Sequence, residues 1–154
     1  MKSKAFALIL VVLLFGAAVT FAADPNMGTW KLNEAKSKLA AGAPRNHTVV
    51  YAAAGENVKV TVDGTDANGK PVHNEWTGKF DGKDYPVTGD PDSDMRSYKR
   101  VDANTLDLIV KKAGKVTSTV RVVVSADGKS RTVIVNATDA KGKKTSTTYF
   151  YDKK

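Results

Sequence analysis

The sequence predicts an all-β protein, an antiparallel up-and-down meander of about ten strands closed into a barrel. Three observations predict it. Beyond residue 46 apolar and polar residues alternate with period two in run after run. Between the runs fall short clusters of Asp, Asn and Gly, residues suited to the tight turns of hairpins. No window of comparable length in that region carries a helical period.

The first strand is expected over Gly28 to Asn33. After it, Glu34 to Leu39 are good helix formers, followed by a Gly and Pro stop in Ala40-Ala41-Gly42-Ala43-Pro44, so one short helix fits and two packed helices do not. The next strand starts near His47. Val58, Val60 and Val62 then share one face, with Lys59, Thr61 and Asp63 on the other. The same alternation recurs at Leu106, Leu108 and Val110, at Val116, Ser118, Val120, Val122 and Val124, and at Val133, Val135 and Ala137. Turns are expected at Ala54-Gly55-Glu56-Asn57, Asp66-Ala67-Asn68-Gly69, Asp81-Gly82, Gly89-Asp90-Pro91-Asp92, Asp102-Ala103-Asn104, Ala113-Gly114, Asp127-Gly128 and Lys141-Gly142. Connections this short force antiparallel neighbours, because a parallel crossover needs a dozen or more residues. One apolar face per strand must be hidden, and closing the sheet also removes its unpaired edges. A two-sheet sandwich is the alternative. The segments Val60 to Lys70 and Val133 to Lys143 echo one another, through repeated use of a turn sequence or duplication of a hairpin.

Residues 1–22 read as a secretory signal peptide, with Lys2 and Lys4 preceding an apolar run from Ala5 to Val19. The run is shorter than the roughly 20 residues a membrane-spanning helix needs. Cleavage after Ala22 places Thr20 and Ala22 at the small-residue positions and leaves residues 23–154 as one barrel domain without a stable membrane anchor. The two lysines go with the leader, so the net charge falls from +8 to +6. With no Cys in the chain, lipid attachment at the cleavage site, disulfides, thiolate metal sites and a Cys nucleophile are all excluded. A domain of this size buries enough surface to fold without disulfides. A periplasmic or secreted bacterial protein is the expected setting.

Gly28-Thr29-Trp30-Lys31-Leu32 resembles the opening strand of the lipocalin and fatty-acid-binding protein superfamily, whose members begin with a Gly-x-Trp motif at the closed end of a barrel. The resemblance implies that Gly28 and Trp30 form the barrel floor. It also implies a basic side chain from a late strand, Arg121 here, lying across the Trp ring. Length and strand count are similar to the fatty-acid-binding branch, but the chain is too short after strand one for that branch's two-helix lid. Where that branch carries a final-strand Arg-x-Tyr that holds a ligand carboxylate, this chain reads Thr147-Thr148-Tyr149, so only the Tyr carries over. The lipocalin Thr-Asp-Tyr motif is absent, with Thr65-Asp66-Ala67 and Thr138-Asp139-Ala140 nearest to it. The chain also resembles, throughout, exported bacterial proteins of no assigned mechanism.

The chemistry in the sequence is sparse. Asp90-Pro91-Asp92-Ser93-Asp94 spaces carboxylates like the first half of a calcium loop, but Met95 and Val101 stand where that loop needs Gly and Glu, so an acidic turn is expected and no metal site. His47 and His73 sit in no motif, and His73 alternates with Glu75 and Thr77 on a solvent face. No serine has a nucleophile-elbow context and no Gly-rich phosphate loop precedes a helix, which points away from an enzyme and from a cofactor. Lysines cluster at Lys111-Lys112 and Lys115, at Lys141, Lys143 and Lys144, and at Lys153-Lys154, mostly in turns, where they guard a soluble protein. Aromatic interleaving suited to nucleic acid is thin. A barrel interior would draw on the rings of Tyr51, Trp76, Tyr98, Tyr149 and Tyr151 and the cations of Arg96, Arg100 and Arg121. Arg96, Tyr98 and Arg100 share a face; an outer polar face is the simpler expectation for them, whereas pointing inward they would suit an apolar molecule with an acidic head. The leading expectation is an exported, non-catalytic barrel holding a small hydrophobic or amphipathic ligand. The alternative is a structural or adhesive envelope module whose basic surface binds anionic polysaccharide or a protein.

Overall fold

A computed structural model describes residues 23–139 and 141–154. The predicted leader lies outside the described residues. The chain forms ten strands: β1 Gly28–Leu32, β2 Arg45–Ala54, β3 Asn57–Thr65, β4 Pro71–Gly78, β5 Asp81–Thr88, β6 Met95–Arg100, β7 Thr105–Lys112, β8 Lys115–Val124, β9 Ser130–Thr138 and β10 Lys144–Lys153. Each pairs antiparallel with its neighbours in sequence, and β1 pairs with β10 through Trp30↔Lys153 and Leu32↔Tyr151, which closes the ring. The sheet is therefore a closed meander barrel and not a two-layer sandwich, an architecture compatible with that of lipocalins.

The helix allowed after strand one is reduced to one 3-10 turn over Glu34–Lys36, capped by the Asn33 side chain accepting from the Lys36 N–H. It stops there because Lys38 returns to the barrel wall, exchanging backbone hydrogen bonds of 2.7 and 2.9 Å with Thr148. Strand β2 begins at Arg45, two residues earlier than expected.

Alternation sets the interior. Val49, Val60, Val62, Leu106, Leu108, Val122 and Val124 are all buried, and each such side chain contributes roughly 1.5–3 kcal/mol. One run departs from its predicted parity. The β7–β8 register shifts after Val110↔Ser118, so that Lys111 pairs with Val116 and Thr117 is the extra residue of a bulge. Val116 consequently faces solvent at 54% exposure instead of joining Ser118 and Val120, and Thr117 joins the interior lining.

The turns at one end join β2–β3, β4–β5, β6–β7 and β8–β9, and both termini of the described barrel lie there too. This is the closed end. The opposite, open end carries the β3–β4, β5–β6, β7–β8 and β9–β10 turns and the coil of residues 37–44. The echoed sequence segments place the same turn twice at the open end. In each, the first Asp N–H donates to the closing Lys carbonyl, Asp66 to Lys70 at 2.9 Å and Asp139 to Lys143 at 3.0 Å. In each, the Asp carboxylate accepts from that Lys N–H at 2.9 Å. The echo therefore coincides with a repeated turn closed by an aspartate.

Gly89 opens the β5–β6 turn in the left-handed region (φ 79°), and a Cβ there would lie 2.2 Å from the His73 carbonyl oxygen of β4. Gly89→Ala is expected to destabilise the barrel by roughly 2–4 kcal/mol, combining backbone strain with a clash against an immovable carbonyl. Urea unfolding checks this, and a loss below about 1 kcal/mol would mean that the turn relaxes freely.

Candidate interior binding site

Gly28 and Trp30 stand at the closed end. Trp30 is fully buried and its Nε1 donates to the Asn26 carbonyl at 2.9 Å. Gly28 (φ 110°) lies so close to β10 that a Cβ would sit 3.0 Å from Lys153 Cε. The cation across the Trp30 ring is not Arg121 but Arg131, whose guanidinium carbon lies 4.6 Å from the ring centroid. Arg121 is on the outer surface, forming a two-toothed pair with Asp107 at 2.7 and 2.8 Å. Parity explains the exchange: Arg121 alternates against the inward Val120 and Val122, whereas Arg131 shares the inner face of Val133, Val135 and Ala137.

Arg96, Tyr98 and Arg100 point inward, contrary to the outer polar face expected for them. Tyr98 is 2% exposed, with its ring 4.4 Å from Trp76 and edge-on to Tyr51 at 6.4 Å. Two carboxylates distant from them in pattern or position make the inward arginines tolerable. Arg96 donates to Asp90 Oδ2 at 2.6 Å, and Arg100 pairs with Asp24 while lying over the Phe80 ring. Burial alone would raise the Asp90 carboxyl. Hydrogen bonds from the Ser93 hydroxyl and the Asp92 N–H, together with the Arg96 charge, outweigh it and hold Asp90 below the ordinary carboxylate range. In the same acidic turn Asp94 Oδ2 accepts from the Ala113 N–H, so Asp90 and Asp94 organise local backbone.

The remaining rings complete the lower interior. Trp76 donates from Nε1 to the Arg96 carbonyl at 3.0 Å and meets Tyr85 edge-on at 5.8 Å. These two rings fill the wall where β4 and β5 pair only at Glu75↔Thr88 and Trp76↔Val87. Tyr149 and Tyr151 are buried side by side, and burial pushes the Tyr98 and Tyr151 hydroxyls well above their ordinary range, so both stay neutral. The Tyr149 hydroxyl donates to the Pro44 carbonyl at 2.9 Å, which pins the coil of residues 37–44 against the open end where a lid would otherwise sit. His73 is exposed and paired with Asp63 at 2.6 Å and Glu75 at 3.7 Å; the Asp63 hydrogen bond raises its pKa.

Above the aromatic floor the barrel encloses a cavity of about 820 Å³, within the ~300–1,000 Å³ range of small-molecule sites. Valines and Leu108 form most of its walls, with Asn74, Thr117, Ser118 and Thr147 among them, and Ala40–Pro44, Asp66, Asp90–Ser93, Lys112 and Asp139 frame its mouth. Of the residues singled out in the sequence, Tyr51, Arg96, Tyr98 and Tyr149 line this cavity. Trp76 and Arg100 support it from beside and below, and Arg121 is remote. Tyr151, expected among the interior rings, lines it too, and Arg131 and Asn74 line it without having been singled out. Extending the Val133, Val135, Ala137 parity back by one step reaches Arg131, so that signal was present. Comparison of the sequence with protein-family models and with curated proteins gives no match.

Proposed function

We propose that the chain is an exported, non-catalytic lipocalin-like barrel that holds a small hydrophobic or amphipathic molecule in its interior. The observation that carries this reading is the continuous cavity between an aromatic floor and a mouth framed by short turns, with largely apolar walls. A barrel whose purpose was only to hold its own shape would gain by filling that space with larger side chains, because empty volume forfeits packing energy. Export is supported by Lys2, Lys4 and the apolar run to Val19. The test is native mass spectrometry of protein recovered from the periplasm or medium, followed by titration with N-phenylnaphthylamine. Saturable fluorescence at one dye per barrel and a raised melting temperature are expected. Val135→Trp, which fills the cavity between Arg131 and Thr138, should abolish uptake. Unsaturable dye response in a folded wild-type protein would overturn the reading.

A second reading rests on the open end, where Lys112 and Lys115 of the β7–β8 turn and Lys141, Lys143 and Lys144 of the β9–β10 turn are all exposed. This basic rim suits anionic polysaccharide or an acidic protein partner. Salt-sensitive retention on cell-wall material without dye uptake would select it.

A further inference from the structure

Where β8 parts from β9 at the open end, the barrel wall carries a second recess. The β7–β8 ladder runs up to Lys112↔Lys115, but the β8–β9 ladder stops at Ser118↔Ala137, while β9 continues beside β10 to Thr138↔Lys144. Beyond that last pair the bulge at Thr117 carries β8 away from β9, and a notch of about 440 Å³ lies there. Six of the ten residues that line it bear a hydroxyl, among them Thr117, Ser118 and Thr119 of β8 and Thr145 and Ser146 of β10. Asn136 and Lys144 add two more donors, and no carboxylate lines the notch. Of the hydroxyls only that of Thr117 is engaged within the chain among the described residues, donating to the Val110 carbonyl at 3.3 Å.

The lysines around this notch lack counter-charges. Lys112 and Lys115 stand opposite each other at the end of the β7–β8 hairpin, an arrangement in which like charges repel. Lys141 and Lys143 lie in the adjoining β9–β10 turn, and Lys144 opens β10. None of the five meets a carboxylate among the described residues, whereas on the barrel wall Lys59 pairs with Glu75, Lys79 with Glu56 and Lys111 with Asp84. The acids that reach these turns are engaged with backbone: Asp139 accepts from the Lys141 and Lys143 N–H groups, and Asp94 from that of Ala113.

We infer that the notch is a phosphate site, which takes a phosphomonoester at the rim with Lys144 as its principal cation. The inference goes beyond the carrier reading and does not depend on it. The free oxygens of a phosphomonoester point in different directions and accept from several short donors at once, which suits hydroxyls set around one recess on three strands. Near neutral pH the group carries roughly two negative charges, matched to a recess with lysines on both sides and no acid. No arginine lines the notch, so nothing there offers the flat, two-toothed fit that favours a carboxylate. Thr117, Ser118, Ala137, Thr138 and Thr145 also line the interior cavity. Two sources can therefore present the phosphate: a small soluble phosphomonoester, or the head of an amphiphile whose chain enters the barrel.

The test is an NMR titration of the purified chain, at constant ionic strength, with glycerol 3-phosphate, acetate and dodecyl phosphate. Amide shifts at Thr119, Asn136, Thr145 and Ser146 are expected to saturate together with glycerol 3-phosphate, and acetate should bind at least about tenfold more weakly. Lys144→Gln should weaken glycerol 3-phosphate about tenfold and Ser146→Ala about threefold. Lys154→Gln removes the same charge at the closed end and should change it by less than about twofold, because screening confines the effect of an exposed charge to its own neighbourhood. All three side chains are exposed, so each variant keeps the barrel. Dodecyl phosphate binding as tightly as glycerol 3-phosphate would support the site with a soluble ligand; tighter binding with shifts at Val120 and Val135 would support it with an amphiphile. Acetate binding as well as glycerol 3-phosphate, equal weakening by Lys144→Gln and Lys154→Gln, or no saturable shift with either phosphate would overturn the site and leave the carrier reading intact.

Discussion

Trp30→Ala is expected to remove about 4 kcal/mol of stability and to lower the melting temperature by roughly 12–20 °C. The side chain is completely buried, so truncation opens a hole that β1 and β10, already paired to each other, cannot collapse to fill. Three further contacts go with it. Nε1 no longer holds the Asn26 carbonyl, Arg131 loses one of its three rings, and the Lys153 ammonium, 5.0 Å from the indole, loses its own. Trp30→Phe separates volume from polarity: it keeps much of the packing and should cost only about 1–2 kcal/mol, chiefly the unpaired Asn26 carbonyl. Urea denaturation of the three proteins measures both steps. A Trp30→Ala loss below about 1 kcal/mol would show that the closed end is not held by this ring.

Breaking the Arg96–Asp90 pair is the second large effect. The arginine side chain is 11% exposed and the aspartate side chain 17%, so Asp90→Ala strands a cation in poor contact with water. A loss of about 3 kcal/mol is expected, at the lower end of what removing one partner of a buried pair costs because solvent still reaches this one. The double variant Asp90→Ala, Arg96→Met removes the stranded charge together with its partner and should recover about 2 kcal/mol of that loss, a coupling that a double-mutant cycle reads directly. The pH dependence follows from the Asp90 carboxyl titrating below its ordinary value near 3.9. Its contribution is complete above that value and disappears as pH falls through the lower, folded one. Wild type and Asp90→Ala should therefore differ most above about pH 4 and converge in more acid solution. Constant separation of the two stability curves down to low pH would contradict the pairing.

Strand identity was legible because each run needs only to be apolar on one side, and the turns announce themselves through Asp, Asn and Gly. Closure was favoured because it alone hides every edge, but a two-sheet sandwich would bury the same apolar faces, and it is the β1–β10 ladder that decides between them. Orientation within a strand was less legible. In β6 the face carrying Arg96, Tyr98 and Arg100 looks no less polar than the face carrying Met95, Ser97 and Lys99, and pattern alone cannot choose between them. What chooses is neutralisation from afar: Asp24 stands 76 positions from Arg100 in the chain and Asp90 sits in a turn that reads as a plain acidic loop. The bulge at Thr117 was hidden for a different reason, since an inserted residue leaves every neighbour's chemistry unchanged while reversing the parity beyond it. The cavity itself could not be read, because hollowness depends on how the inward side chains meet across the ring and not on their identity along it.

The seam between β1 and β10 joins residues about as far apart as the chain allows, Trp30 with Lys153. Assembly therefore has to bring opposite termini of the polypeptide together before the last ladder can zip, and such distant pairing is slow. During synthesis the hoop stays unfastened until its tenth stave has emerged, so a nascent chain presents raw sheet margins for the whole of that interval. Nine of the ten ladders can form locally, so the seam is the one step left waiting for the far end of the chain.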